Sequence, residues 1–222
     1  VIPGLWDMHT HSIQSSPQLH HPLFIAHGVT SVRDMSGCMK QEDAFWACID
    51  DRKRWQQEAL AGSRIAPRYV LQSSYQTNGG DELPEGSAEF FKLRDKVDAR
   101  QLVTHYKRTG HDFIKVYSNL TVQQYSDLST AAREQGMDIA GHKPARVPLE
   151  QTIAAGQRSI EHPRLFLLSC FKHDKINHGN HNLLTLFKDA NSMRQLLAHQ
   201  DQQLCDQAMA DMAKSDTWWV PT

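Results

Sequence analysis

Long apolar runs are missing from this 222-residue chain. The longest local candidate, Leu165-Phe166-Leu167-Leu168, falls far short of the roughly 20 residues that a membrane-spanning helix needs. A surplus of either charge is missing too. Lysine and arginine number 24 against 25 acidic residues, a formal net charge of -1, so there is no electrostatic footprint for nucleic acid or for an anionic membrane. Cysteine is scarce: Cys38, Cys48, Cys170 and Cys205 are widely spaced and form no Cys-x-x-Cys pair. That excludes a zinc ribbon and a dense disulfide framework, and the four read as buried or idle thiols. No Gly-x-Gly-x-x-Gly follows the first strand-like run, which removes the main support for a dinucleotide-binding fold. There is no signal peptide, and the chain opens on Val1, so its natural beginning is expected to have been lost. The compartment is unknown from that end, with a cytoplasmic location slightly preferred to a periplasmic one.

What is present is an ordinary globular composition, 40% hydrophobic and 22% charged, long enough for one large domain spanning 1–222. Strand-like runs alternate with helical ones. A first strand ends at His11; a short helix from Pro22 to His27 closes at Gly28, and Val29–Asp34 is a second strand. A helix is expected over Gln41–Ala61, a strand over Ile65–Ser73, and a turn-rich loop over Asn78–Gly86. Then follow a helix over Asp95–Arg108 ending at Gly110, a strand Phe113–Tyr117, and a helix N-capped by Thr121 and closed by Gly136. Asp138–His142 is a strand, Pro148–Ala155 a helix and Arg158–His162 a strand. Residues 163–190 read as irregular, Asn191–Lys214 as one helix and Trp218–Thr222 as a last strand. Strict alternation with short connections predicts a parallel α/β sheet, and seven strands with crossovers fit a (β/α)₈ barrel better than an open sheet.

Histidine, with 13 copies, is the outlier, and its placement carries the chemistry. In Pro3-Gly4-Leu5-Trp6-Asp7-Met8-His9-Thr10-His11 an apolar run enters two histidines one residue apart. On a strand, side chains two apart share a face, so His9 and His11 project together and can form half of a metal site. His142 and His162 sit at the C-terminal ends of two further strands, the face where barrels build their active sites. A lone strand histidine is usually packed and hydrogen-bonded; four from three strands at one barrel end are hard to ascribe to chance. Lys115 interrupts an apolar strand, where a bare ammonium is costly unless paired, neutralised or snorkelling outward. Tyr117, two residues on, shares its face and either hydrogen-bonds a substrate carbonyl or carboxylate or simply packs. Arg33 and Asp34 end the second strand as supporting contacts or as an ordinary ion pair.

These segments, with Gly28-Val29-Thr30-Ser31-Val32-Arg33-Asp34, Phe113-Ile114-Lys115-Val116-Tyr117, Gly141-His142 and Ser159-Ile160-Glu161-His162, resemble the metal-dependent barrel of the amidohydrolase superfamily, in its imidazolonepropionase-like and Xaa-Pro-dipeptidase-like branch. The resemblance implies a hydrolase of amide or peptide-like C–N bonds with one or two divalent metals. His9 and His11 would bind the first and His142 and His162 the second, with Lys115 carrying a carbamate able to bridge them. Zinc is the first choice, with manganese, iron or cobalt as alternatives. A metal-activated hydroxide would attack a carbonyl polarised by metal, with Lys115, His142 and Tyr117 as the catalytic set. The substrate would be a small amide, N-acyl amino acid or dipeptide.

The chain also departs from that pattern. The family's strand-eight aspartate has no candidate, since the sequence stops after the seventh strand, and the flanking β-sandwich is absent. The expectation is therefore a catalytically inactive, truncated barrel with weak metal affinity that forms homo-oligomers, swaps elements with a neighbour or adopts a distorted barrel because of its open edges. Two alternatives remain: a cyclic-amide hydrolase or deaminase of the same superfamily, the deaminase disfavoured by Lys115, or a noncatalytic degenerate barrel. His173, His178 and His181 cluster in the 163–190 segment, either as a solvated loop or as an adventitious metal site.

Overall fold

The computed structural model describes residues 2–40, 42–162, 168–171 and 190–222. The elements are β1 (Leu5–Thr10), α1 (Ser16–Ala26), β2 (Val29–Asp34), α2 (Ile49–Leu60), β3 (Arg68–Gln72), α3 (Lys96–Thr109), β4 (Phe113–Val116), α4 (Val122–Glu134), β5 (Asp138–Gly141), α5 (Leu149–Ala154), β6 (Ser159–Glu161), α6 (Ala190–Ala198), α7 (Gln202–Ala213) and β7 (Trp218–Val220). Among the described residues every pairing between these strands is parallel, in the ladders β1-β2-β3 and β4-β5-β6-β7. Parallel bridges Ser73↔Phe113 and Thr77↔Val116 lay the chain beyond β3 along β4, so the seven strands neighbour one another in sequence order.

The sheet curls. Arg33 on β2 donates to Ser159 Oγ at 2.8 Å and to Glu161 Oε1 at 2.7 Å, joining the second strand to the sixth across the interior. The α/β architecture is thus that of a partial barrel. Ring closure is not seen: among the described residues β1 pairs only with β2, and β7 only with β6.

Local sequence explains the helix ends. The Asp95 carboxylate accepts from Val97 N at 2.8 Å and Asp98 N at 3.0 Å to start α3, and Gly110 ends it at φ 81°. Thr121 and Gln124 form a capping box on α4. One face of each helix supplies the core: Leu102, Val103 and Tyr106 of α3 and Leu128 and Ala132 of α4 pack on Ile114, Val116 and Ile139. Burial of these apolar faces, at about 25 cal/mol per Å², is what holds the helices to the sheet.

Several expected boundaries move. The first helix begins at Ser16, not Pro22: Pro17 occupies its first turn, where a missing N–H is harmless, and Pro22 lies inside it. The expected helix over 41–61 begins only at Ile49, because the Asp43 carboxylate turns the chain by accepting from Phe45 N and Trp46 N, both at 2.8 Å, while Trp46 bridges to Ile13. The long C-terminal helix is two helices, since Asp201 caps α7 through Gln203 N at 2.9 Å. Of the 163–190 segment only a 3₁₀ turn, Leu168–Cys170, with Phe171 and Ala190 are described; His173, His178 and His181 lie outside the described residues.

The cysteines are the clearest correction. They are not idle thiols but two disulfides, Cys38–Cys48 and Cys170–Cys205. Spacings of 10 and 35 residues carry no pairing signal; the pairs exist because the fold brings the loop after β2 to the start of α2, and the 3₁₀ turn to α7.

Candidate functional site

The C-terminal ends of β1, β4, β5 and β6 gather the singled-out side chains. His9 and His11 project together from β1, their rings stacked at 5.1 Å. His9 lies 4.7 Å from the His162 ring, which lies 4.9 Å from His142, which stacks on Tyr117 at 4.2 Å. Four histidines from three strands thus form one continuous row. Lys115 is buried rather than snorkelling outward, and its Nζ comes within 3.2 Å of His11 Nε2.

Backbone geometry holds the row. At Gly141 (φ 131°) a Cβ would come within 2.3 Å of the Val116 carbonyl, so only glycine lets β5 end flush against β4, where His142 N donates to Val116 O at 2.9 Å. His162 adopts φ 67°, a left-handed conformation uncommon outside glycine and carrying about 1–3 kcal/mol of strain. It is held there by its N–H to Val220 O at 3.0 Å and by Nδ1 against the Thr222 hydroxyl.

Glu161 organises the site from beneath. Fully buried, it meets His9 Nδ1 at 2.7 Å and Arg33 at 2.7 Å, and it accepts from the Ser159 hydroxyl. Burial alone would raise its pKa, but the hydrogen bonds from His9 and Ser159 and the Arg33 guanidinium outweigh it and hold the carboxyl below its ordinary value. An ionised carboxylate only accepts, so His9 Nδ1 carries a proton and donates it to Glu161, and His9 Nε2 faces His11 Nε2 at 3.1 Å. The partial burial of the His11 ring, then Lys115, His9 and His162, push its pKa down to about 3, so this ring is neutral although the residue is exposed at the mouth. Burial, outweighing Asp34 and Glu161, lowers Lys115 to about 8. On the far side Ser118 Oγ meets His142 Nδ1 at 2.7 Å. Asp34 lies in a buried pair with Arg52 at 3.2 Å; burial raises its pKa, opposed first by Arg52.

Imidazoles oriented from behind, His9 by a carboxylate and His142 by a hydroxyl, are the arrangement in which histidines serve as metal ligands. The separations of 3.1 and 3.2 Å among the nitrogens of His9, His11 and Lys115 approach the roughly 3.3 Å between neighbouring ligands of a tetrahedral zinc. As placed, no group of three or more His, Cys, Asp or Glu side chains among the described residues surrounds one point; the third nitrogen of the close cluster is the lysine. In donor type the residues suit a metal, and two nitrogen pairs lie at ligand-like separations. Two clefts elsewhere, of about 310 and 340 Å³, share no lining residue with this row.

Solved structures were compared with this architecture. A bottromycin amidohydrolase superposes on 74% of the chain with a TM-score of 0.57 at 24% identity. A Xaa-Pro dipeptidase with methionine in its active site matches 98% of it at 0.50 and 18%, and the A. niger ochratoxinase 99% at 0.50 and 16%. The chain shares its fold with amidohydrolases. It spans 33%, 65% and 62% of the lengths of those three structures. No protein-family model matches the sequence, and no curated protein aligns with it significantly.

Within this amidohydrolase-like fold, the residue that sequence reasoning passed over is Glu161. An acid in a three-residue buried strand, beside a histidine already singled out, was a usable signal: an internal carboxylate requires a partner. Ser118 and Thr222, which face the histidines from loops, have no such signal.

Proposed function

We propose that this chain is the core of a metal-dependent hydrolase acting on an amide or peptide-like C–N bond. The observation that carries the reading is the convergence of His9 Nε2, His11 Nε2 and Lys115 Nζ, continued by His162 and His142. The names of the fold neighbours, amidohydrolase and dipeptidase, favour that bond class. His9, His11, Lys115, His142 and His162 would hold one or two divalent ions, zinc first, Lys115 as its carbamate. Such an ion supplies Lewis acidity that polarises a carbonyl and makes water more acidic.

The chain's own residues do the rest. Glu161 and Ser118 orient His9 and His142 from behind, and Arg33 keeps Glu161 ionised. Tyr117, stacked on His142, would hydrogen-bond the substrate's carbonyl or carboxylate. Lys115 Nζ meets a neutral imidazole rather than a carboxylate, which suits an amine that adds to carbon dioxide with loss of a proton. The substrate would be a small amide, N-acyl amino acid or dipeptide, and residues 1–222 would act as one domain in a homo-oligomer.

The test is a hydrolysis screen of N-acyl amino acids and dipeptides with zinc-loaded protein and its Lys115→Ala variant, in a chain as long as the fold neighbours. Hydrolysis that falls at least a hundredfold in the variant and returns partly with short carboxylic acids is the expected result. Unchanged activity in Lys115→Ala would overturn the role of the lysine.

A further inference from the structure

We propose that Phe45 and Trp46 form the subsite for the substrate's acyl group, a proposal that rests on the hydrolase reading above and narrows its substrates to N-acyl amino acids with an aromatic acyl group. The row of rings does not stop at His11. Trp46 meets His11 edge-on at 6.0 Å, and Phe45 stands perpendicular to Trp46 at 4.9 Å. Trp46 thus ends the row on one side, as Tyr117, stacked on His142, ends it on the other. With the substrate's carboxylate at Tyr117, the group across the scissile bond lies at Trp46.

Local structure fixes this corner in place. Gln14 N donates to Phe45 O at 2.8 Å and Ala47 N to Ser12 O at 3.1 Å, an antiparallel clasp that sets Trp46 beside the chain leaving His11. The loop's polar groups turn onto its own backbone: the Asp43 carboxylate accepts from Phe45 N and Trp46 N, and Gln14 Nε2 donates to Asp43 O at 3.2 Å and to Trp46 O at 3.1 Å. The Cys38–Cys48 disulfide closes the loop at its base. The rings themselves are left to solvent, Phe45 being 57% exposed and Trp46 half-buried. Two rings held perpendicular offer a third ring one face to stack on and one edge to meet, the geometries that aromatic pairs favour. A corner already ordered by backbone hydrogen bonds and a disulfide gives up little freedom when it is filled.

The test titrates the protein with N-benzoylglycine and with N-acetylglycine, metal being withheld so that nothing turns over, while the Trp46 indole N–H is followed by NMR. N-benzoylglycine should bind about tenfold tighter, the order expected for half-burying one phenyl ring, and should move the Trp46 resonance. Trp46→Ala should abolish the preference, and Phe45→Ala, at an exposed position, should shrink it to about threefold. Equal affinities, a benzoyl preference that leaves the Trp46 resonance unmoved or survives in both variants, or binding of neither compound would overturn the subsite. The Trp46 resonance is read in the unsubstituted protein, so the result stands even if Trp46→Ala fails to fold. Hydrolysis is then measured with zinc added. Turnover of both compounds at equal kcat/KM would leave the hydrolase and remove the subsite; tenfold preferential binding without turnover would leave the subsite and remove the hydrolase.

Discussion

The inner strands and the edge strands are built from similar residues and end in different surroundings. All four residues of β4 and all three of β6 are buried, whereas Leu5 and Trp6 of β1 are 57% and 49% exposed and Trp218 of β7 is 75% exposed. What differs is cover. β4 has the chain beyond β3 on one side, β5 on the other, and α3 and α4 behind, while β1 and β7 each have one neighbour among the described residues. An apolar strand reports that it can be buried; its neighbours decide whether it is. The inner strands also hold the site's buried charges, Lys115 on β4 and Glu161 on β6, while the edge strand β1 brings His9 and His11 to them.

The sharpest break of that comparison is at Glu161. Glu161→Leu strands the buried Arg33 charge and should cost about 3–5 kcal/mol in urea unfolding. Arg158→Leu, which removes the exposed pair with Asp138 beside the same strand, should cost about 0–1 kcal/mol. Next comes the apolar contrast: Ile114→Ala in β4 should cost about 2–5 kcal/mol, and Leu5→Ser in β1 within about 0.5 kcal/mol. Equal losses at the two strands would mean that β1 is covered in solution.

Cys38→Ser with Cys48→Ser should destabilise by about 2–3 kcal/mol, the value for a loop of 10 residues, and the unreduced protein should show no free thiol at any of its four cysteines. Disulfides persist in oxidising surroundings, so this result bears on compartment as well.

The last contrast is in pH. His21, fully buried beside Tyr69, is pushed down to about 4 by burial, then by Arg64. The unfolded ring takes its proton near 6.5 and the folded ring does not, so this stability is complete above 6.5 and is lost as pH falls toward 4. Between pH 7 and pH 5 the loss due to His21 should be about 2 kcal/mol, and His21→Gln should remove that part of the slope and leave the part due to His11 and His111.

The sequence was most legible where one element has one cause. The asparagine- and glycine-rich turns, Thr121 before α4 and the glycines after α3 and α4 placed the second half to within a residue or two. It failed where a side chain cut into a pattern that looked continuous, as Asp43 does before α2 and Asp201 before α7. The histidines and Lys115 stood out because imidazole and ammonium are odd residues on apolar strands. Glu161, equally odd, was hidden by the histidine after it. The disulfides could not be read at all, since pairing depends on which loops the finished fold brings together.

The claim at the centre is that the histidine row and Lys115 form a metal site, and crystals grown with zinc and measured at the zinc absorption edge test it most directly. An anomalous peak in contact with His9 Nε2 and His11 Nε2, lost in a His9→Ala, His11→Ala protein that still folds, is the predicted result. A zinc-replete crystal with no peak at those nitrogens would contradict it.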